Sequence, residues 1–167
     1  MTHYMQLLVE NQPWNLIFFM AVPIVLAETV AITELFILFS RRLDGALARI
    51  NRTASIAGGL YFCGVFIYLT INAVFPLTTQ HAWRGAIDVI AVGAYLSGLV
   101  PLAGLALLDL GLIGRRLEVE AKLKRHALFV ALFLVVAHIA MIFGMLNPAL
   151  LTGANSQEPM MMHTHPM

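Results

Sequence analysis

The sequence is poor in cysteine and in charge, and each shortage excludes a class of protein. Its one cysteine, Cys63, excludes an internal disulfide framework and the paired-cysteine motifs of zinc and redox sites. Only 11% of the residues are charged, whereas soluble domains carry about 25%. Phosphate-loop, dinucleotide-binding and metalloprotease motifs are missing too, so the sequence does not predict an enzyme.

Long apolar segments fill most of the chain, and 60% of the residues are hydrophobic. Four segments, at about residues 15–39, 54–75, 86–112 and 127–151, exceed or match the roughly 20 residues that a transmembrane helix needs. We expect an all-α integral membrane domain over residues 1–151, an up-down bundle of four transmembrane helices. Residues 152–167 are rich in methionine and histidine, and we expect them to form a flexible tail. The first segment is too long for a signal-peptide core and is expected to be retained.

The basic residues predict the orientation of the bundle. Nine of the ten lysines and arginines fall in two short loops, after the first and third segments: Arg41, Arg42, Arg49, Arg52, Arg115, Arg116, Lys122, Lys124 and Arg125. The positive-inside rule places these loops in the cytoplasm and both termini outside. We therefore expect a multi-pass protein of the cell membrane, as in a bacterial inner membrane, with periplasmic or extracellular termini. The basic residues suit the headgroups of the lipid bilayer, and no nucleic-acid partner is expected.

Two ionisable residues lie near the middle of the first and fourth segments, Glu28 and His138. A charged side chain at this depth costs at least about 3 kcal/mol, so each needs a partner or a purpose. We expect the two side chains to match in depth. A carboxylate and an imidazole then form either a hydrogen bond that pins two helices or the outer layer of a metal site.

Further carboxylates occupy the segments at other depths. Glu28, Glu34 and Asp88 are expected to act either as a proton relay or as residues that pin helices together, and the sequence leaves both roles open. Glu34 has an arginine or His126 as candidate partners on the basic side. Asp109, close to the second basic loop, is expected to pair with Arg115 or Arg116.

The fourth segment carries soft metal donors on one helical face. His138, Met141 and Met145 recur at intervals of three and four residues, which places them on the same side of a helix, and Met20 of the first segment is at a comparable depth. Imidazole and thioether donors favour Cu(I), although methionine at this spacing also fills ordinary cores. His138 is alternatively a ligand of haem b.

The chain ends carry further donors of the same kind. The C-terminal donors are Met160, Met161, Met162, His163 and His165, and His3 stands near the N-terminus. Both ends are expected on one side of the membrane, where thioethers and imidazoles bind copper without being oxidised to disulfides. These residues predict a metal-collecting arm.

Four functions remain open, one of them a proton- or ion-coupled exporter dimer that uses Glu28, Glu34 and Asp88 as a relay. The first is a small membrane protein that binds a transition metal, copper foremost, at its outer face and within the bundle, for metal handling, transport or delivery. The second is a haem- or quinone-linked redox subunit of the membrane. The third is an accessory subunit of a larger membrane complex. A homo-oligomer or a larger complex is expected under each of them.

Pro23 and Pro101 interrupt the hydrogen bonding of two segments. A proline inside a helix leaves the carbonyl four residues earlier without its backbone donor. In a membrane such a carbonyl needs another partner. We therefore expect the Phe19 and Ser97 carbonyls to find one inside the bundle.

Overall fold

A computed structural model describes residues 2–40, 45–114 and 118–148 of the 167-residue chain. Across these ranges the chain is helical and has no strand, so the all-α prediction is confirmed. A short helix α1, His3–Val9, precedes four long helices: α2 (Trp14–Ser40), α3 (Ala46–Thr79), α4 (Ala86–Asp109) and α5 (Val119–Met145). Each long helix is long and apolar enough to cross a membrane, as expected of a multi-pass membrane protein.

The helices extend further into polar sequence than the apolar segments do. Helix α3 begins at Ala46 and α5 at Val119, where the sequence predicted spans from residues 54 and 127. Apolar residues mark the length that a membrane covers, whereas arginine, lysine and glutamate are themselves good helix formers and prolong the helix beyond it. At its other end α5 stops at Met145, because Leu146 adopts an extended backbone.

Helix α4 lies at the centre of the bundle. Half of the apolar 18-residue stretch of α4 is buried inside the bundle, against 17–28% of the corresponding stretch in the other three long helices. Helix α3 packs closely on α4, and α5 packs along both halves of α4. At the α3–α4 contact a Cβ placed on Gly59 would lie 2.5 Å from the Ala106 Cβ and 2.7 Å from the Leu102 carbonyl oxygen. Only glycine permits the two backbones to approach this closely.

Helices α2 and α5 contact each other far less than the neighbouring pairs do. Cavities therefore open along the line where these two helices face each other. We call this line the α2–α5 seam. Because it is the loosely packed side of the bundle, it offers more room for a ligand than the tightly packed α3–α4 contact.

Two π-helical turns interrupt the long helices, at Ile17–Ala21 in α2 and at Thr70–Val74 in α3. Pro23 follows the first of them. The buried hydroxyl of Tyr95 donates a hydrogen bond of 2.5 Å to the Phe19 carbonyl, and Tyr61 donates one of 2.9 Å to the Phe18 carbonyl. The expectation of a partner for the Phe19 carbonyl is thereby confirmed.

The bundle has two chemically different ends. We call the end formed by Ser40, Ala46, Asp109 and Val119 the basic end, because the arginine- and lysine-rich sequence adjoins it, and the opposite end the terminal end. Helix α1 docks at the terminal end through Thr2, whose hydroxyl donates to the Gly144 carbonyl at 2.6 Å. Tyr4 of α1 is buried there, and burial raises the pKa of its hydroxyl to about 12.

Candidate functional site in the α2–α5 seam

A buried cluster of charged groups links α2, α4 and α5 near the basic end. His126 Nδ1 lies 2.7 Å from Glu34 Oε2, and His126 Nε2 lies 3.0 Å from Asp109 Oδ2. All three side chains are at least nine-tenths buried. A protonated imidazole has two N–H groups, so it donates to both carboxylates at once and joins three helices.

Two more polar residues make contacts in this region. Lys122 Nζ lies 3.2 Å from Asp109 Oδ1 and thus adds a second contact between α4 and α5. The buried Asn51 donates through Nδ2 to the Val30 carbonyl at 3.0 Å and to Thr33 Oγ1 at 2.9 Å, which joins α3 to α2. Buried polar side chains require such partners.

Asp109 therefore meets Lys122 and His126, while Arg115 and Arg116, its expected partners, lie outside the described residues. Sequence reasoning missed Lys122 as a partner of Asp109 and Asn51 as a link between α3 and α2. A usable signal was present, because Lys122 and His126 are four residues apart and share one face of a helix.

A second group of predicted site residues lines one cavity in the α2–α5 seam, toward the terminal end. Met20 and Glu28 of α2 and His138 and Met141 of α5 line it, together with aromatic and aliphatic side chains including Tyr4, Phe19, Tyr95 and Phe133. The cavity has a volume of about 140 Å³. One carboxylate, one imidazole and two thioethers thus face one small space.

Glu28 and His138 are not hydrogen-bonded to each other within the described residues. The contact between Glu34 and His126 fixes the register of α2 against α5. At about 1.5 Å per residue, Glu28 is roughly 9 Å from that level and His138 roughly 18 Å. Their depths therefore differ, and the expected match is wrong. The prediction measured depth from residue 127, where the apolar segment begins, whereas α5 begins at Val119.

The ring of His138 is held in one orientation by its own helix. Nδ1 lies 2.6 Å from the Leu134 carbonyl oxygen. A carbonyl only accepts hydrogen bonds, so Nδ1 carries the proton, and in the neutral ring the free lone pair is on Nε2. Metal-binding histidines are commonly fixed in this way, by donating their other ring N–H to a carbonyl.

The exposure of these residues is uneven. Glu28 and His138 are both exposed on the outside of the bundle, while Met20 is half-buried. Met141 is 36% exposed and Met145 71%. Met145 does not line the cavity with the other donors, so its shared helical face with His138 and Met141 does not bring it into the same space.

The terminal end holds a third polar group. Asp88 is completely buried and accepts the His3 backbone N–H at 2.6 Å, and its other oxygen lies 2.5 Å from His3 Nδ1. The Arg84 backbone N–H also points to Asp88, at 3.3 Å. Asp88 thereby fastens α1 to α4. Because the Asp88 oxygens contact His3 Nδ1 and the His3 backbone N–H, Nε2 is the His3 ring nitrogen that remains available to a metal.

Across residues 2–40, 45–114 and 118–148, no three histidine, cysteine, aspartate or glutamate side chains are grouped as a metal site. The thioether sulfurs of Met20 and Met141 are two of the four candidate donors that line the seam cavity. The tail donors predicted from the sequence lie outside the described residues: Met160, Met161, Met162, His163 and His165.

The chain belongs to DUF6803, a family of unknown function, whose sequence profile matches residues 1–161. That match includes all four long helices. No curated protein and no solved structure matches the chain.

Proposed function

We propose that this member of DUF6803 binds a transition metal ion, Cu(I) foremost, in the seam cavity and handles copper at the membrane. The observation that carries the proposal is that Met20, Glu28, His138 and Met141 line one cavity of about 140 Å³. These residues come from two helices and from positions far apart in the sequence, and their chemistry, depth and helical spacing predict them as candidate ligands.

The donor set suits a soft monovalent ion. Thioethers and imidazole favour Cu(I) over harder ions, and His138 has Nε2 as its ligand atom because Nδ1 is bound to the Leu134 carbonyl. Glu28 adds a negative charge that balances the charge of Cu(I). A neutral assembly costs far less at membrane depth than either charge alone.

The terminal end supplies the route for loading in this proposal. The positive-inside rule places the basic end in the cytoplasm and both chain ends outside. The methionines and histidines of residues 159–167 then collect copper and pass it to the seam cavity, whose lining includes Tyr4 of α1 at the same end. Delivery to another metalloprotein and transport inward are both compatible with this arrangement.

The size of the cavity favours an ion over a larger cofactor. Sites for small organic ligands have volumes of about 300–1,000 Å³, which exceeds the 140 Å³ seen here. A haem or quinone bound through His138 therefore needs the seam to widen. The accessory-subunit alternative has its own support, because Glu28 and His138 are exposed and intramembrane ionisable groups normally face protein or water.

The test is copper content, measured on purified protein loaded with Cu(I) against a chromogenic Cu(I) chelator. In a chain lacking residues 159–167, we expect the His138→Ala variant to lose the remaining bound copper, because the imidazole that lines the cavity is gone. His81→Ala is the matched control, since His81 lies in the α3–α4 loop, and it should bind copper like its parent.

Unchanged copper binding by the His138→Ala variant in the shortened chain would contradict the seam site. Restoring residues 159–167 should raise the amount of copper per chain, and no rise would remove the tail from the proposal. An absorption spectrum of the same preparations tests the redox alternative. A Soret band that is present in the parent protein and lost in the His138→Ala variant would identify haem, rather than copper, as the bound group.

A further inference from the structure

A large polar cavity opens at the basic end of the bundle, where α2, α3 and α5 meet the end of α4. Its volume is about 510 Å³, which lies within the range of about 300–1,000 Å³ for sites of small organic ligands. It shares no lining residue with the seam cavity. Its charged lining residues come from all four long helices: Glu34, Arg49, Arg52, Asp109, Lys122 and His126.

The two carboxylates of this cavity are already paired. Both Glu34 and Asp109 contact His126, and Asp109 also contacts Lys122. A doubly protonated imidazole and an ammonium together balance two carboxylates, so these four side chains neutralise one another. The charge that remains in the lining therefore belongs to the two arginines.

Arg49 and Arg52 are both exposed to the cavity side of α3, and neither is paired. Across residues 2–40, 45–114 and 118–148, neither guanidinium forms an ion pair or a hydrogen bond. The two residues are three positions apart and share one face of the helix, where like charges repel each other. An anion bound between them would be attracted to both guanidiniums and would relieve that repulsion.

The first turn of α3 borders the same cavity and adds to its positive potential. Gly45 and Ala48 line it, and α3 begins between them at Ala46. Gly45 has no side chain that could accept from the free N–H groups of this turn. The positive end of the helix dipole therefore favours an anion in the space that the two arginines already face.

We propose that this cavity binds an organic phosphomonoester, a molecule whose terminal phosphate is held by Arg49 and Arg52. A guanidinium binds phosphate through paired N–H donors. A phosphomonoester carries a charge of about −1.5 to −2 at neutral pH, which matches two unpaired guanidiniums. The remaining volume of the cavity takes the organic group attached to the phosphate.

Other anions match the cavity less well. A phosphodiester or a carboxylate carries a single negative charge and balances only one of the two arginines. Inorganic phosphate has the charge but fills only part of a cavity of about 510 Å³. Two sources supply the favoured chemistry, a soluble phosphomonoester and a lipid that ends in one, such as phosphatidic acid.

Native mass spectrometry on the purified full-length protein in detergent tests the proposal, with phosphatidic acid and phosphatidylglycerol of identical short chains as probes. The first lipid is a phosphomonoester and the second a phosphodiester. We expect phosphatidic acid to bind about tenfold tighter, because one more hydrogen bond between charged groups is gained. Arg49→Gln combined with Arg52→Gln should bring the ratio of the two affinities close to one.

Two further variants separate the cavity from the general charge of the basic end. Arg125→Gln is the matched control, because Arg125 is an exposed arginine of α5 that does not line the cavity, and its lipid binding should equal the wild type. Ala48→Phe narrows the cavity without changing any charge and should weaken phosphatidic acid. Because Arg49 and Arg52 are exposed and unbonded, their replacement should leave the melting temperature unchanged, which excludes loss of folding as the cause.

Equal affinity for phosphatidic acid and phosphatidylglycerol in the wild type would overturn the proposal. An unchanged ratio in the double arginine variant, unchanged binding in Ala48→Phe, or an equal loss in Arg125→Gln would do the same.

Competition identifies the source of the phosphate. Glycerol 3-phosphate that displaces phosphatidic acid at equal concentration would support the proposal with a soluble ligand, and no displacement would support it with a lipid. Inorganic phosphate that displaces phosphatidic acid as well as glycerol 3-phosphate does would overturn it, since the cavity would then take a free anion without an organic group.

Discussion

Helix α2 contributes two glutamates to the seam and α5 contributes two histidines, and the two Glu–His couples differ completely. Glu34 and His126 are buried and bonded at 2.7 Å, with Asp109 as a third member. Glu28 and His138 are exposed and line a cavity without bonding to each other. Identical residue types on the same two helices thus form a closed cluster in one case and line an open cavity in the other.

The difference shows which couple is available for chemistry. Both ring nitrogens of His126 are occupied by carboxylates, so a metal could bind His126 only by breaking a buried contact. His138 has one nitrogen held by a backbone carbonyl and the other turned to no described acceptor. A histidine whose two ring nitrogens are both bonded stabilises a bundle, whereas one with a free ring nitrogen beside a cavity is the better candidate for a ligand site.

The largest expected effect separates the two couples by stability. Glu34→Ala leaves His126 and Asp109 buried without a partner, and removing one member of a buried ionic cluster costs about 3–5 kcal/mol. Glu28→Ala removes an exposed group with no described hydrogen bond and should leave the free energy of unfolding within about 1 kcal/mol of the wild type. Reversible unfolding in mixed detergent measures both variants.

Equal losses of stability in Glu34→Ala and Glu28→Ala would break the comparison, since they would show that Glu28 is also bonded in the folded protein. A Glu34→Gln variant sharpens it. The amide keeps an oxygen that accepts from His126, so the loss should be smaller than in Glu34→Ala.

A middle-sized effect tests the contrast between the tight α3–α4 contact and the open seam. Gly59→Ala places a Cβ 2.5 Å from the Ala106 Cβ, and overpacking of this kind costs about 1–3 kcal/mol. Gly64→Ala lies on the same helix with nothing within 4 Å of its Cβ position. It should stabilise the helix by a few tenths of a kcal/mol or leave it unchanged. Thermal unfolding of the two variants in one detergent is the measurement; equal melting temperatures would mean that α3 and α4 are not in close contact.

The smallest effect concerns the hydroxyl that supports the π-helical turn beside the seam cavity. Tyr95→Phe leaves the buried Phe19 carbonyl without its donor, at a cost of about 1–2 kcal/mol. Tyr61→Phe removes the equivalent bond to the Phe18 carbonyl at a more exposed site and should cost less. If Tyr61→Phe proved the more destabilising of the two, burial would not explain how much these hydrogen bonds contribute to stability.

Much of the fold was predictable from the sequence, because a membrane-spanning helix can be identified from its long apolar composition. The apolar lengths located four helices, and Pro23 predicted that the Phe19 carbonyl would need a donor. The candidate site was predictable in chemistry but less so in arrangement. Met20, Glu28, His138 and Met141 share one cavity, while Met145 points away and the depths of Glu28 and His138 do not match.

The sequence revealed only part of the contacts that depend on helix register. His126 was one of the candidate partners of Glu34, and the two side chains are in contact. Asp109 contacts His126 and Lys122, while Arg115 and Arg116, its expected partners, lie outside the described residues, so that pairing stays a prediction. His126 and Lys122 lie on α5, which begins at Val119 within polar sequence, and so they are in helical positions that apolar counting does not reveal. The pairing of α2 with α5 through Glu34 and His126 sets that register.

The sequence by itself determined that four apolar helices form and which polar residues they carry into the membrane, because helix formation and hydrophobic length are local properties of the chain. Only the tertiary structure decided that Glu34 is paired and Glu28 is not, and that the α3–α4 contact closes while the α2–α5 seam stays open. Those outcomes depend on how far each helix is shifted and rotated against its neighbours, which is settled by packing between residues distant in the chain.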